Sequence, residues 1–152
     1  MRKEIPASSG GFTLVELMIV CAAITIVAVI SIPNVIEARK SSNESTAIAA
    51  LRTIASAQAM FREGDKDGDG LDYADNLADL GTYGLVDPPL ASGTRNGYDF
   101  SIAAADGWTW SANADPAVRS KTGDRSFFID ETGVIRFNTS APAGPADPEI
   151  GL

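Results

Sequence analysis

With 152 residues, 45% of them hydrophobic, the chain has material for one modest domain and one long helix. A formal net charge of −8, no histidine and an acidic excess gathered in the second half argue against a nucleic-acid groove, and no nucleophile and base pair of the usual kind can be assembled, so the chain reads as a non-enzyme. Its one cysteine, Cys21, sits in an apolar run, which excludes an intrachain disulfide and makes the thiol a small apolar filler.

The first change of composition falls between the polar Met1 to Gly11 and a run from Phe12 to Ile32 that carries one charge, Glu16. At about 1.5 Å per helical residue, Leu14 to Ile32 reaches roughly 28 Å, close to the hydrocarbon thickness of a bilayer. The run is longer than the apolar part of an ordinary secretory signal, about 7–15 residues, and no clear A-x-A site follows it, so an ordinary cleaved signal is disfavoured. Arg2 and Lys3 precede the run and Arg39 and Lys40 follow it, so flanking charge does not fix its orientation. An acid at the centre of a spanning helix costs about 2.5–3.5 kcal/mol, and such residues usually mark function. Glu16 has two readings by itself: a carboxylate near the helix start, favoured by the helix dipole, or one that needs a cationic partner.

After Pro33, Ala47, Ala50, Leu51, Ile54, Ala57 and Phe61 recur at three- and four-residue spacing, which predicts an amphipathic helix over residues 34–63. A single proline in an otherwise helix-compatible stretch gives one long helix from Phe12 to about Arg62, kinked near Pro33. Arg39, Lys40, Glu44 and Arg52 are expected to face water or neighbouring subunits.

The segment Asp65-Lys66-Asp67-Gly68-Asp69-Gly70 alternates carboxylates before a glycine, as calcium loops do. Asp65, Asp67 and Asp69 with the Leu71 carbonyl could give about four of the six to eight oxygens that Ca²⁺ takes, with Asp72, Asp75 or Asp79 as further donors. The twelfth loop position is Asn76, not the bidentate glutamate of a full EF-hand. The competing reading is a solvated acidic turn in which glycine ends the helix.

Downstream, Tyr98, Phe100 and Ile102 alternate, Asp106-Gly107 turns the chain, and Trp108, Trp110 and Ala112 alternate again, which predicts a hairpin with both tryptophans on one face, in the core and not on a stacking surface. A second hairpin joins residues 127–129 to 134–137 through Asp130-Glu131-Thr132-Gly133, whose glycine suits a positive φ. The Pro-rich tail, residues 141–152, is expected to be irregular, with the freedom of an unpaired terminus. The predicted fold class is α+β: the long helix packed on a small antiparallel sheet of about four strands.

Gly11-Phe12-Thr13-Leu14-Val15-Glu16-Leu17, with Pro33 at the twenty-second position counted from Phe12, closely resembles the start of type IV prepilins and the pseudopilins of type II secretion. The resemblance implies a leader, residues 1–11, cut after Gly11 by a membrane-embedded prepilin peptidase that also N-methylates Phe12. It implies a transmembrane and filament-core helix over 12–33, an amphipathic helix of the head over 34–63, and a head over 64–140 with the acidic loop at 65–79. It further implies that Glu16 pairs with a neighbour's new Phe12 amine during assembly and that Pro33 loosens the packed helix. Thr25 departs from the pattern, standing where many pilins place a glycine.

The implied partners are lipid before assembly, the inner-membrane assembly platform, and copies of the chain or related pilins in a helical filament. The implied location is the inner membrane as a single-pass precursor, then the pilus at the cell surface or a periplasmic pseudopilus. Two classes therefore stand: a structural filament subunit, a type IV pilus being favoured over a secretion pseudopilus, and a membrane-anchored calcium-binding or adhesive module that never polymerises. A subunit should begin at Phe12; a permanently anchored module should keep its leader or be cut beyond Ile32.

Overall fold

From Leu14 to Glu63 the backbone is one helix, α1, with Pro33 inside it, in the computed structural model, which describes residues 11–68, 70 and 72–151. Thr13 rather than Phe12 sets its start, because the threonine hydroxyl accepts the Glu16 amide at 3.2 Å and so stands at the N-cap. At the other end Asp65 takes a left-handed φ of 40°, while the Lys66 amide bonds to the Phe61 carbonyl at 3.4 Å and the Asp65 amide to the Arg62 carbonyl at 3.2 Å. Those two bonds form a Schellman closure, and an aspartate, not the expected glycine, occupies its left-handed position.

The chain divides between Ile36 and Glu37 into two compact units. In the first, every described large apolar side chain from Phe12 to Ile36 is exposed, by 46 to 89%.

In the second, α1 supplies the spine of a head. Ala47, Ala50, Leu51, Ile54, Ala57 and Phe61 are all buried, as their spacing predicts. Two short helices follow, α2 (Leu77–Thr82) and α3 (Pro88–Ala91), then β1 (Thr94–Arg95), β2 (Tyr98–Ala105), β3 (Trp110–Pro116), β4 (Ser126–Asp130) and β5 (Arg136–Asn138). The five strands form an antiparallel meander in chain order. Sequential neighbours pair throughout, with a two-residue connection between β1 and β2 and longer loops between the later strands. Tyr98, Phe100, Trp110, Ala112, Ala114, Phe127 and Ile129 join the α1 stripe in one core.

Both predicted hairpins are present, and β1 is added at the edge beside β2. Gly133 has the positive φ its turn requires, 75°. Two expectations are corrected. Trp108 does not share the core face with Trp110: the Asp106 carboxylate accepts the Trp108 and Thr109 amides at 2.7 and 2.6 Å, the strand starts only at Trp110, and Trp108 stays 80% exposed at the tip. Lys40 and Glu44 do not face water, because loop residues Asp124 and Arg125 come down beside this part of α1 and cover both side chains.

The tail holds no strand among the described residues, yet it is pinned to the sheet. Arg136 donates to the Asp147 carbonyl at 2.9 Å and to Glu149 Oε1 at 2.8 Å, the Ile150 amide bonds to the Ile135 carbonyl at 2.9 Å, and Ala143 is buried.

Candidate functional site

The start of α1 carries the residues singled out by sequence. Leu14, Val15 and Glu16 open the helix, so four backbone amides there lack intrahelical acceptors. Glu16 Oε2 accepts the Thr13 amide at 2.9 Å and the Thr13 hydroxyl at 2.8 Å, while Thr13 Oγ1 accepts the Glu16 amide. This reciprocal arrangement is a capping box, whose T-x-x-E signature is legible in Thr13-Leu14-Val15-Glu16 and was missed as such. The acid is therefore engaged locally at the helix tip, and Oε1 has no hydrogen bond among the described residues.

Gly11 and Phe12 lie ahead of the cap, outside any helix or strand, and the Phe12 ring is 89% exposed. A Cβ built on Gly11 meets nothing within 4 Å among the described residues. Among the described residues no packing demands glycine at that position.

Behind the tip, α1 is long and apolar enough to cross a membrane by length and composition. The Thr25 hydroxyl donates to the Cys21 carbonyl at 2.8 Å, so this polar group is satisfied along the helix and leaves the rod apolar. Pro33 lies within α1 and has no amide proton to donate.

The calcium candidates are divided. Asp69 and Leu71 lie outside the described residues. Asp65 closes α1 and its Oδ1 accepts the Gly70 amide at 3.2 Å, and Asp67 and Asp72 are exposed. Asn76 caps α2, accepting the Asp79 amide at 3.0 Å and donating to Asp79 Oδ2 at 2.7 Å. Among the described residues no group of three or more His, Cys, Asp or Glu side chains is placed to hold a metal ion.

One residue with no sequence signal organises this end of the head. Gln58 is wholly buried; its amide nitrogen donates to the Ala74 carbonyl at 2.9 Å and its oxygen accepts the Ala74 amide at 2.8 Å. Its partner lies in an irregular loop, so periodicity in α1 could not reveal the pairing.

Residues 7–32 match the family described as the prokaryotic N-terminal methylation motif. The chain is 34% identical over 135 residues to the type IV wide pilus major component PilA4 of Thermus thermophilus, covering 88% of this chain and 91% of that protein. It is 39% identical over 97 residues to the type IV major pilin protein PilA of Myxococcus xanthus, covering 63% of this chain and 39% of that one.

Proposed function

We infer the role of this chain from its family: it belongs to the type IV pilins, and it is a structural subunit of a pilus. The observation that carries the reading is the exposed apolar half of α1, capped by one acid and continuous in sequence with the helix that holds the head's core. So much uncovered apolar surface needs either lipid or other copies of the same rod. Lipid covers it first and a bundle of α1 helices afterwards, which gives a single-pass precursor in the inner membrane and then a filament. The named relatives are pilus components, which favours a pilus over a secretion pseudopilus.

A prepilin peptidase cuts after Gly11, and the open space around that glycine supports a requirement imposed by the enzyme rather than by this fold. Cutting leaves an amine on Phe12, which is then methylated. Glu16 receives a neighbour's Phe12 amine in the dry interior of the bundle, where an opposite charge is worth far more than in water. Its two contacts to Thr13 fall on Oε2, which leaves Oε1 for the incoming amine. The inner-membrane assembly platform is the machinery that lifts each rod out of lipid.

Intact mass of filament subunits tests the processing: loss of residues 1–11 with a methyl on Phe12 is expected, and a retained leader would sink it. Glu16→Ala is expected to enter the membrane normally and yield few filaments; wild-type filament yield from that variant would remove the pairing. Calcium held by Asp65, Asp67, Asp69 and the Leu71 carbonyl is a separate proposal that rests on spacing alone. Thermal melts with added calcium and after chelation decide it, a higher midpoint with calcium supporting the site and coincident curves ending it.

A further inference from the structure

Along α1 the head has two unlike ends. Arg62, in the last turn, lays its guanidinium over the Tyr73 ring at 5.0 Å and the Trp108 ring at 5.6 Å, so the exposed Trp108 tip belongs to the end where α1 stops. The Tyr73 amide bonds to the Asp106 carbonyl at 3.3 Å, which ties the loop after α1 to the same tip. Asp72 lies beside Gly107 of the tip, and Asp67 and Lys66 are exposed in the loop that follows α1, so two exposed acids and one exposed cation accompany the indole at this end.

The opposite end is built on Lys40, Asn43 and Glu44, roughly 28 Å away from Arg62 at about 1.5 Å per residue. Loop 117–125 packs there: Asn43 donates to the Thr122 carbonyl at 2.8 Å, Glu44 accepts the Asp124 amide at 2.9 Å, and Lys40 pairs with Asp124 at 3.0 Å and Glu37 at 2.8 Å. Arg39 and Lys121 are exposed cations at this end with no ion pair among the described residues, and Val118, in the same loop as Lys121, is an apolar side chain 49% exposed.

We propose that these two ends are the halves of one contact between copies of this chain: the Trp108 tip of one head, flanked by Asp67 and Asp72, seats on the Arg39, Val118 and Lys121 end of the next. The occupant is a second copy because acid faces base and indole faces valine using surfaces that the same molecule carries at opposite ends. Such a heterologous contact joins unlike ends and propagates into an open helix when its rotation does not close a ring, as a filament requires. An exposed tryptophan whose backbone is held by Asp106 is an anchor of the kind that dominates interfaces. The inference deepens the pilus reading and rests on it.

The test uses full-length chain in cells that assemble it. An acid-end variant, Asp67→Lys with Asp72→Lys, and a base-end variant, Arg39→Glu with Lys121→Glu, are each expected to lower sheared filament yield about tenfold, as is Trp108→Ala. The membrane pool of each should stay at its normal level. Made together in one cell, the two charge variants should co-assemble, because each offers the end that the other lacks, and filaments should contain both. Wild-type yield from either charge variant alone, or from Trp108→Ala, would overturn the contact, and so would a mixture that restores nothing. A Trp108→Ala strain with full filament yield that loses only adhesion to a surface would assign the tip to an external ligand instead. If the unmodified chain forms no filaments while processed protein accumulates in the membrane, the subunit reading fails first and the contact with it.

Discussion

Gln58 sits on the α1 stripe between the buried Ile54 and Phe61, yet it is an amide with no exposed surface. It holds both backbone groups of Ala74, the residue that brings the loop after α1 back against the core. Leucine at this position would keep the volume and leave an amide and a carbonyl unpaired in the interior, each costing about 1–3 kcal/mol. Gln58→Leu is therefore expected to lower stability by about 2–4 kcal/mol in urea unfolding followed by tryptophan emission; a loss under about 0.5 kcal/mol would show that Ala74 is satisfied without it. The tip of α1 differs in how openly it is written. Thr13 and Glu16 stand three apart before an apolar run, which is a local signal and can be read from seven residues. Gln58 pairs across sixteen residues into a loop with no pattern, so nothing near it in sequence announces its role.

At the scale of elements, the α1 stripe and both hairpins were legible because burial there follows period 3.6 or period 2. The β1 strand and the short helices α2 and α3 were not, since two to six residues carry no period to detect. Lys40 and Glu44 share the helical face of Ala47 and Leu51, but their charge reads as solvated, and only the loop near residue 124, eighty positions on from Glu44, covers them. That loop also closes over Tyr98, whose hydroxyl donates to the Arg125 carbonyl at 2.7 Å and whose ring leaves no space for a Cβ at Gly123. Burial first, and then the nearby Glu44 charge, pushes the Tyr98 phenol well above its usual 10.0. Hydrogen bonds to Glu37 and Asp124 raise the Lys40 ammonium above 10.5. Both groups are raised on folding, so the stability they contribute is complete below about pH 10 and is lost as pH rises beyond it. For the buried phenol the loss approaches about 1.4 kcal/mol per pH unit above 10. Stability is expected to fall from pH 10 upward, and Tyr98→Phe, though less stable at neutral pH, should show a shallower fall. Parallel stability curves above pH 10 in the two proteins would show that the phenol does not titrate against the fold.

For the whole molecule, the division between Ile36 and Glu37 separates two solvents. Upstream, the rod exposes its described large apolar side chains, which on the proposed reading lipid or other rods cover; downstream, the core runs from Ala47 to Ile135 and includes no described residue of the rod. The head should then fold alone, provided the cut respects its first turn of α1. A chain starting at Glu37 keeps Lys40, Asn43 and Glu44, and is expected to be soluble and to melt cooperatively, since the core is kept and the apolar rod is gone. A chain starting at Ser45 loses no core residue, yet it strips the Asp124 and Arg125 amides and the Arg125 guanidinium of the Glu44 carboxylate that binds all three. Leaving a partly buried charge network half made costs about 3–5 kcal/mol, which for a domain of this size is a drop in melting temperature of roughly 10 °C or more. Calorimetry on the two truncations decides it. Equal melting temperatures would mean that the loop over residues 117–125 holds its place without α1, and that the basic end of the head is not built by the helix at all.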